Sequence, residues 1–135
     1  MEVKKGPILA VDPGREKCGV AIVDEGKTLL QEVVARASIM ERLSSIMPAS
    51  GPIVVGDRTG SKTFIQELKA AIPAAANRIV TVNEHLSSVE ARSLYWQNNP
   101  PRGWRRLLPV SLQTPPVPID DYVAVILAHR YLDGK

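Results

Sequence analysis

Only one cysteine, Cys18, occurs in the 135 residues, so no disulfide can form within the chain and a stapled secreted scaffold is excluded. Aromatic residues are scarce at 4%, yet 44% of the chain is apolar and 23% charged, which describes a globular protein rather than a disordered or fibrous one. No apolar run approaches the roughly 20 residues that span a bilayer. Met1 to Gly6 is charged and the apolar run after it stops at Asp12, unlike a signal peptide, so a soluble, cytoplasmic protein with no membrane partner is expected. No internal repeat and no low-complexity tract is present. The first strand is not followed by G-x-G-x-x-G, which argues against a dinucleotide enzyme. A chain of this length buries about two-thirds of its unfolded surface, enough for one domain spanning residues 1–135. The net charge of +3 permits a polyanionic partner without requiring one.

What is present reads as an α/β pattern. Pro7 to Asp12 is a buried strand entering a Pro13-Gly14 turn, and Cys18 to Val23 is a second. Asp24 to Lys27 forms a hairpin turn, and Thr28 to Ala37 completes a three-stranded meander. Ser38 with Glu41 has capping-box spacing, opening a helix that carries Ile39, Met40, Leu43, Ile46 and Met47 and stops at Pro48. Pro52 to Gly56 has the character of a buried parallel strand. A polar turn, Asp57 to Lys62, leads to a helix with Phe64, Ile65, Leu68 and Ile72 on its apolar side, and Arg78 to Val82 is the fifth strand. Ser87 with Glu90 suggests a second capping box, opening a helix to about Trp96 with Val89 and Leu94 in the core. Gln97 to Ile119 holds six prolines in 23 residues and is expected to be a loop. Asp120 to Leu132 is a closing helix that packs Val123, Ile126 and Leu127 on the sheet. The expected architecture is a mixed five-stranded sheet, three strands in a meander plus two parallel ones, with helices on both faces.

Short connections and right-handed crossovers place strand one between its hairpin partner and strand four. Ligands of such open sheets bind at the carboxyl ends of the strands, where the winding reverses. Asp12 leaves strand one there, Asp57 follows strand four, and Glu84 lies two residues past strand five. Asp120 and Asp121 join them if the last helix packs beside strand one. Each acid alone reads equally as a turn former or helix cap, so only their convergence is informative. Clustered carboxylates with no thiolate suit Mg2+ or Mn2+, and two such ions would activate water and stabilise the leaving oxygen in phosphodiester hydrolysis.

The segment ILAVDPGREKCGVAIVD, with Asp12, Gly14 and Gly19 in D-x-G-x-x-x-x-G order, resembles the first hairpin of the RNase H-like superfamily. Actin-like ATPases use a similar hairpin, but they need two such domains and this chain has one. Together with VNEHLSSVEARSLYW and VPIDDYVAVILAHRYLD, the hairpin resembles the YqgF/RuvX family of RuvC-like nucleases over nearly the whole chain. The resemblance implies an RNase H-like domain and a metal-dependent endonuclease acting on pre-16S rRNA or on branched, four-way DNA. It implies that Asp12, Glu84 and Asp120 are catalytic metal ligands, with Asp121 as a neighbour. The chain departs from the family pattern at Asp57-Arg58, where an apolar residue and a proline are usual, and Asp57 there resembles the strand-four acid of RuvC proper. It departs again at His85, where an arginine is usual, and in the proline-rich stretch. A non-catalytic nucleic-acid-binding module of the same fold is the alternative of another class.

The remaining candidates are substrate contacts. Arg15, Lys17 and Arg58 stand in turns beside the acids, although exposed hairpin charges explain Arg15 and Lys17 equally. Thr59, Ser61 and Lys62 precede a helix whose free N–H groups suit a phosphate, or form a simple cap with a solvated lysine. Arg102, Trp104, Arg105 and Arg106 pair cations with a stacking ring, as a strand-binding loop would, or form a solvated loop pinned by Trp104. His85 beside Glu84 is a candidate for proton transfer or metal ligation. Cys18, Tyr95 and Trp96 read as packing residues, and His129 as a surface or packing residue. A monomer or weak homodimer is expected.

Overall fold

Alternation along the first strand decides how the layers form. In β1 (Ile8–Asp12) Leu9 and Val11 point to one face and Ile8 and Ala10 to the other, and all are buried because both faces are covered. The computed structural model describes residues 7–110 and 113–134, so the charged segment before Pro7 lies outside the described residues. β1 pairs antiparallel with β2 (Lys17–Asp24), and β2 pairs antiparallel with β3 (Lys27–Ala35). The hairpin turns at Glu25 and Gly26, whose φ angles of 52° and 81° give the left-handed pair that a two-residue hairpin loop needs. On its other side β1 pairs in parallel with β4 (Ile53–Gly56), which pairs in parallel with β5 (Ile79–Val82). The order β3-β2-β1-β4-β5 is the expected mixed sheet, with β1 at its centre.

One face packs Leu9, Val11, Val20, Ile22, Ile53 and Val55 against α1 (Ile39–Ile46) and α2 (Ser61–Ala71) through Ile39, Leu43, Phe64 and Leu68. The opposite face packs Ala10, Ala21, Val54 and Val82 against α3 (Ser87–Asn98) and α4 (Asp120–Leu132) through Ala91, Ala124, Leu127 and Ala128. Small residues on both sides of the α4 contact let the helix backbone approach β1 and β2 closely.

Several local expectations are corrected. β3 ends at Ala35, and Arg36–Ser38 is a 3-10 turn that runs into α1. Ser38 makes no side-chain cap, because that turn already supplies the Arg36 carbonyl to the Ile39 N–H. Ser87 makes none either: its N–H donates to the Glu84 carbonyl at 2.9 Å, and Leu86 takes the N-cap position at φ 61°. Val89 is 52% exposed, because α3 buries Ala91, Tyr95 and Trp96 instead. α2 starts at Ser61, inside the expected turn, and a 3-10 turn, Gly103–Leu107, interrupts the expected loop. Among the described residues no helix is long and apolar enough to cross a membrane.

Candidate active site

The carboxyl ends of β1, β4 and β5 lie side by side, and glycine at two positions lets side chains converge there. Asp12 pairs with Gly19 across the first hairpin, and a Cβ at Gly19 would overlap the backbone carbonyl of Asp120. The missing side chain therefore brings the first residue of α4 over the end of β1. A Cβ at Gly56 would overlap the Glu84 carboxylate, so the glycine that ends β4 makes room for Glu84 to fold inward. The chain beyond β5 is braced for this. Asp57 Oδ1 accepts the Glu84 N–H at 3.0 Å, and the left-handed residue Leu86 turns the backbone directly into α3. A leucine at positive φ is a costly conformation, and here it stands next to the buried acid.

Asp12 and Glu84 are 3% and 8% exposed. Burial first, then the charge of Glu84, raise the Asp12 carboxyl to about 7, with Asp120 adding to the rise and Arg58 opposing it. Arg58 lies between the two acids. Its Nη2 is 3.1 Å from Asp12 Oδ1 and 2.7 Å from Glu84 Oε1, and its Nε donates to Glu84 Oε1 at 2.8 Å. Burial disfavours the charge on Arg58, but the Glu84 hydrogen bond and the nearby acids outweigh it and hold the guanidinium above its usual range.

Asp12, Glu84, Asp120 and Arg58 are thus brought together. Asp57 is exposed and acts on the backbone of Glu84. Asp121 turns the other way, accepting a hydrogen bond from Gln31 on β3 at 3.1 Å. Arg15 and Thr59 line an open groove of about 570 Å³ with Arg36, Arg58 and Thr63, directly beside the acids. Lys17 and Lys62 are exposed and lie outside that lining. Ser61 is buried and donates its N–H to the Arg58 carbonyl at 3.0 Å. His85 is exposed, its N–H donating to Asn83 Oδ1 at 2.7 Å. Trp104 is 69% exposed with Arg105 over its ring, which rules out pinning on the core, and Arg106 is exposed nearby. Arg102 and Arg105 line a hollow at the end of α3, where Asn99 donates to the Tyr122 hydroxyl at 3.3 Å on the first turn of α4. Tyr95 and Trp96 pack edge to face in the interior, as expected. Cys18 is buried, and burial raises its thiol pKa, consistent with a packing role.

The sequence reading missed Arg36 and the ion pairs of Arg58. Arg36 sits over the Phe64 ring and pairs with Glu67, two contacts with residues about 30 positions away. No local motif carried that signal.

The donor chemistry fits a hard divalent cation. The candidate acids offer only oxygens, and three of these, Asp12 Oδ1, Glu84 Oε2 and Asp121 Oδ1, are buried without a hydrogen bond. The approach of Arg58 to Asp12 Oδ1 is an ion pair by distance and lacks the alignment of a hydrogen bond. Among the described residues, however, no three acid, histidine or cysteine side chains close on one point, and Arg58 fills the space between Asp12 and Glu84.

No known family profile matches the chain, and no curated protein sequence does. Solved structures do. Thermus thermophilus RuvC in complex with a Holliday junction substrate is similar at a TM-score of 0.53 and 17% identity, covering 93% of this chain and 92% of that one. A further Thermus thermophilus RuvC structure is similar at 0.51 and 15%, covering 94% and 95%. Archaeoglobus fulgidus Pelota is similar at 0.47 and 14% over 58% of this chain, which spans only 27% of Pelota's length. The architecture is a RuvC-like fold of the RNase H type, matched over almost the full length of both chains.

Proposed function

We propose that the protein is a divalent-metal-dependent endonuclease that hydrolyses phosphodiester bonds in structured nucleic acid. The observation that carries this reading is the pair of buried acids at the carboxyl ends of β1 and β5, Asp12 and Glu84, each with an oxygen left without a hydrogen bond, together with the Asp120 backbone brought over the end of β1 by Gly19. Burying two carboxylates costs several kcal/mol each unless charge compensates them, and a fold that needed only stability would place apolar residues there. Asp12, Glu84 and Asp120 would hold Mg2+ or Mn2+, which when bound supplies an activated water and neutralises charge on the cleaved phosphate. The protein's own groups bind and orient the substrate. Arg15, Arg36 and Thr59 line the adjacent groove where a sugar-phosphate backbone would lie, and Asp57 holds the Glu84 backbone in register. Asp121 is a further candidate neighbour, with Oδ2 accepting from Gln31 on β3 and Oδ1 buried without a hydrogen bond.

For the substrate, the resemblance of the first hairpin and of VNEHLSSVEARSLYW and VPIDDYVAVILAHRYLD to the YqgF/RuvX family favours pre-16S rRNA processing. The likeness to a RuvC bound to a Holliday junction supports the second reading, resolution of four-way DNA. The deciding experiment is cleavage of end-labelled precursor 16S rRNA fragments and of a four-way DNA junction, side by side in Mg2+ or Mn2+, with EDTA and Asp12→Asn controls. Cutting of one substrate, abolished by both controls, is expected. Binding without cutting in any metal would establish the non-catalytic module instead.

A further inference from the structure

The segment between α3 and α4 takes no part in the acid site, and its composition points to a ligand of its own. Residues 97–119 carry three arginines, Arg102, Arg105 and Arg106, and no acid. All three are exposed, and among the described residues none of them pairs with a carboxylate, so their charge faces solvent uncompensated. Between them stands Trp104, 69% exposed, with the Arg105 guanidinium 5.8 Å from its ring centroid. A ring this open contributes little to the core, because the hydrophobic gain follows the area removed from water.

The surface is also preformed. Gly103–Leu107 is a 3-10 turn whose Arg105 carbonyl accepts the Leu108 N–H at 3.0 Å and the Gln113 side-chain amide at 2.9 Å, and the same amide reaches the Leu108 carbonyl at 3.1 Å. Gln113 thus ties the turn, so a ligand meets a shape already made and less ordering opposes its binding. Beside the turn lies a hollow of about 380 Å³ lined by Asn99, Pro101, Arg102 and Arg105. Asn99 donates to the Tyr122 hydroxyl at 3.3 Å, which sets this hollow against the first turn of α4, the helix that begins at Asp120. Three cations around one open ring match a polymer with a negative charge and a flat base in every unit, and only unpaired bases offer their faces for stacking. A duplex keeps those faces inside its own stack. We propose that Gly103–Leu107 is a stacking platform for single-stranded DNA or RNA, with Trp104 taking a base and Arg102, Arg105 and Arg106 the flanking phosphates. The platform is separate from the acids, so the inference holds whether or not Asp12 and Glu84 serve in cleavage.

The test measures binding without cutting. Fluorescence anisotropy in EDTA at low salt is read for labelled strands of about 12 thymidines or uridines, for the same strands in duplex, and for an abasic strand of equal length. Wild type is expected to bind at least one of the two bare strands more tightly than it binds the duplexes and the abasic strand. Trp104→Ala is expected to weaken that binding about 5- to 150-fold, the usual worth of one stacked base, with Trp104→Leu close to it and Trp104→Phe close to wild type. Replacing Arg102, Arg105 and Arg106 together by glutamine should lower the slope of log K against log salt by about 0.7 for each phosphate released. Circular dichroism checks that the variants fold, as substitutions at exposed positions should. Equal binding of the abasic and base-bearing strands, a preference for duplex, or unchanged affinity in Trp104→Ala would overturn the proposal. So would a failure to bind any strand, and a wild-type dimer that Trp104→Ala dissolves would then assign the surface to a second copy of the chain.

Discussion

At the scale of single residues, Asp12 links the site to the stability of the fold. Its carboxyl sits at about 7 in the folded protein against an ordinary value of 3.8, because burial and Glu84 disfavour its charge. Between those two values the folded protein retains a proton that the unfolded chain has released, so stability falls as pH rises from about 4 to about 7. Denaturation in EDTA across that range is expected to show this fall in wild type and its loss in Asp12→Asn. Gly56 offers a second test. Its substitution by alanine meets the Glu84 side chain from Cγ to Oε2 rather than backbone, so Gly56→Ala is expected to keep the fold, by circular dichroism, while displacing Glu84 and lowering cleavage. Asp12 and Glu84 were legible in the sequence because strand ends can be read from apolar runs. The bridge made by Arg58 was not, since its partners lie 26 and 46 positions away and no periodicity connects them.

At the scale of elements, α4 determines how closely the last acid approaches the first. Helix and sheet meet through Ala10, Ala21, Ala124 and Ala128, and Gly19 lies under the helix start. Gly19→Ala pushes a methyl group into the backbone of Asp120, which cannot rotate away as a side chain can. A loss of about 1–3 kcal/mol in urea denaturation is expected, the usual range for overpacking. On the other face Phe64 is fully buried between α2 and the sheet, and Phe64→Ala is expected to cost about 3–5 kcal/mol in the same assay. The strands and their order followed from apolar alternation and short connections. The helix starts did not. A serine before a helix looks the same in sequence whether its hydroxyl caps the first turn or, as at Ser38 and Ser87, the preceding backbone already does so.

At the scale of the whole molecule, the groove holding Arg15 and Arg36 runs beside the acids and suits a charged backbone. If it binds nucleic acid, Arg15→Gln with Arg36→Gln should weaken binding by the Asp12→Asn protein. The slope of log K against log salt should also fall by about 0.9 for each phosphate of duplex DNA that the variant no longer neutralises. Filter binding at several salt concentrations measures it. The same view of the molecule bears on how the protein is made. Asp12 and Asp120 lie 108 positions apart, and the helix bearing Asp120 is laid on β1 and β2, which are synthesised long before it. Chains emerge from the ribosome amino end first, so the hairpin carrying Asp12 can pair while α4 is still untranslated. If these acids form the proposed cutting centre, that centre is silent in the nascent chain. Its full set of acids comes together only once α4 has cleared the RNA-rich machine that built it.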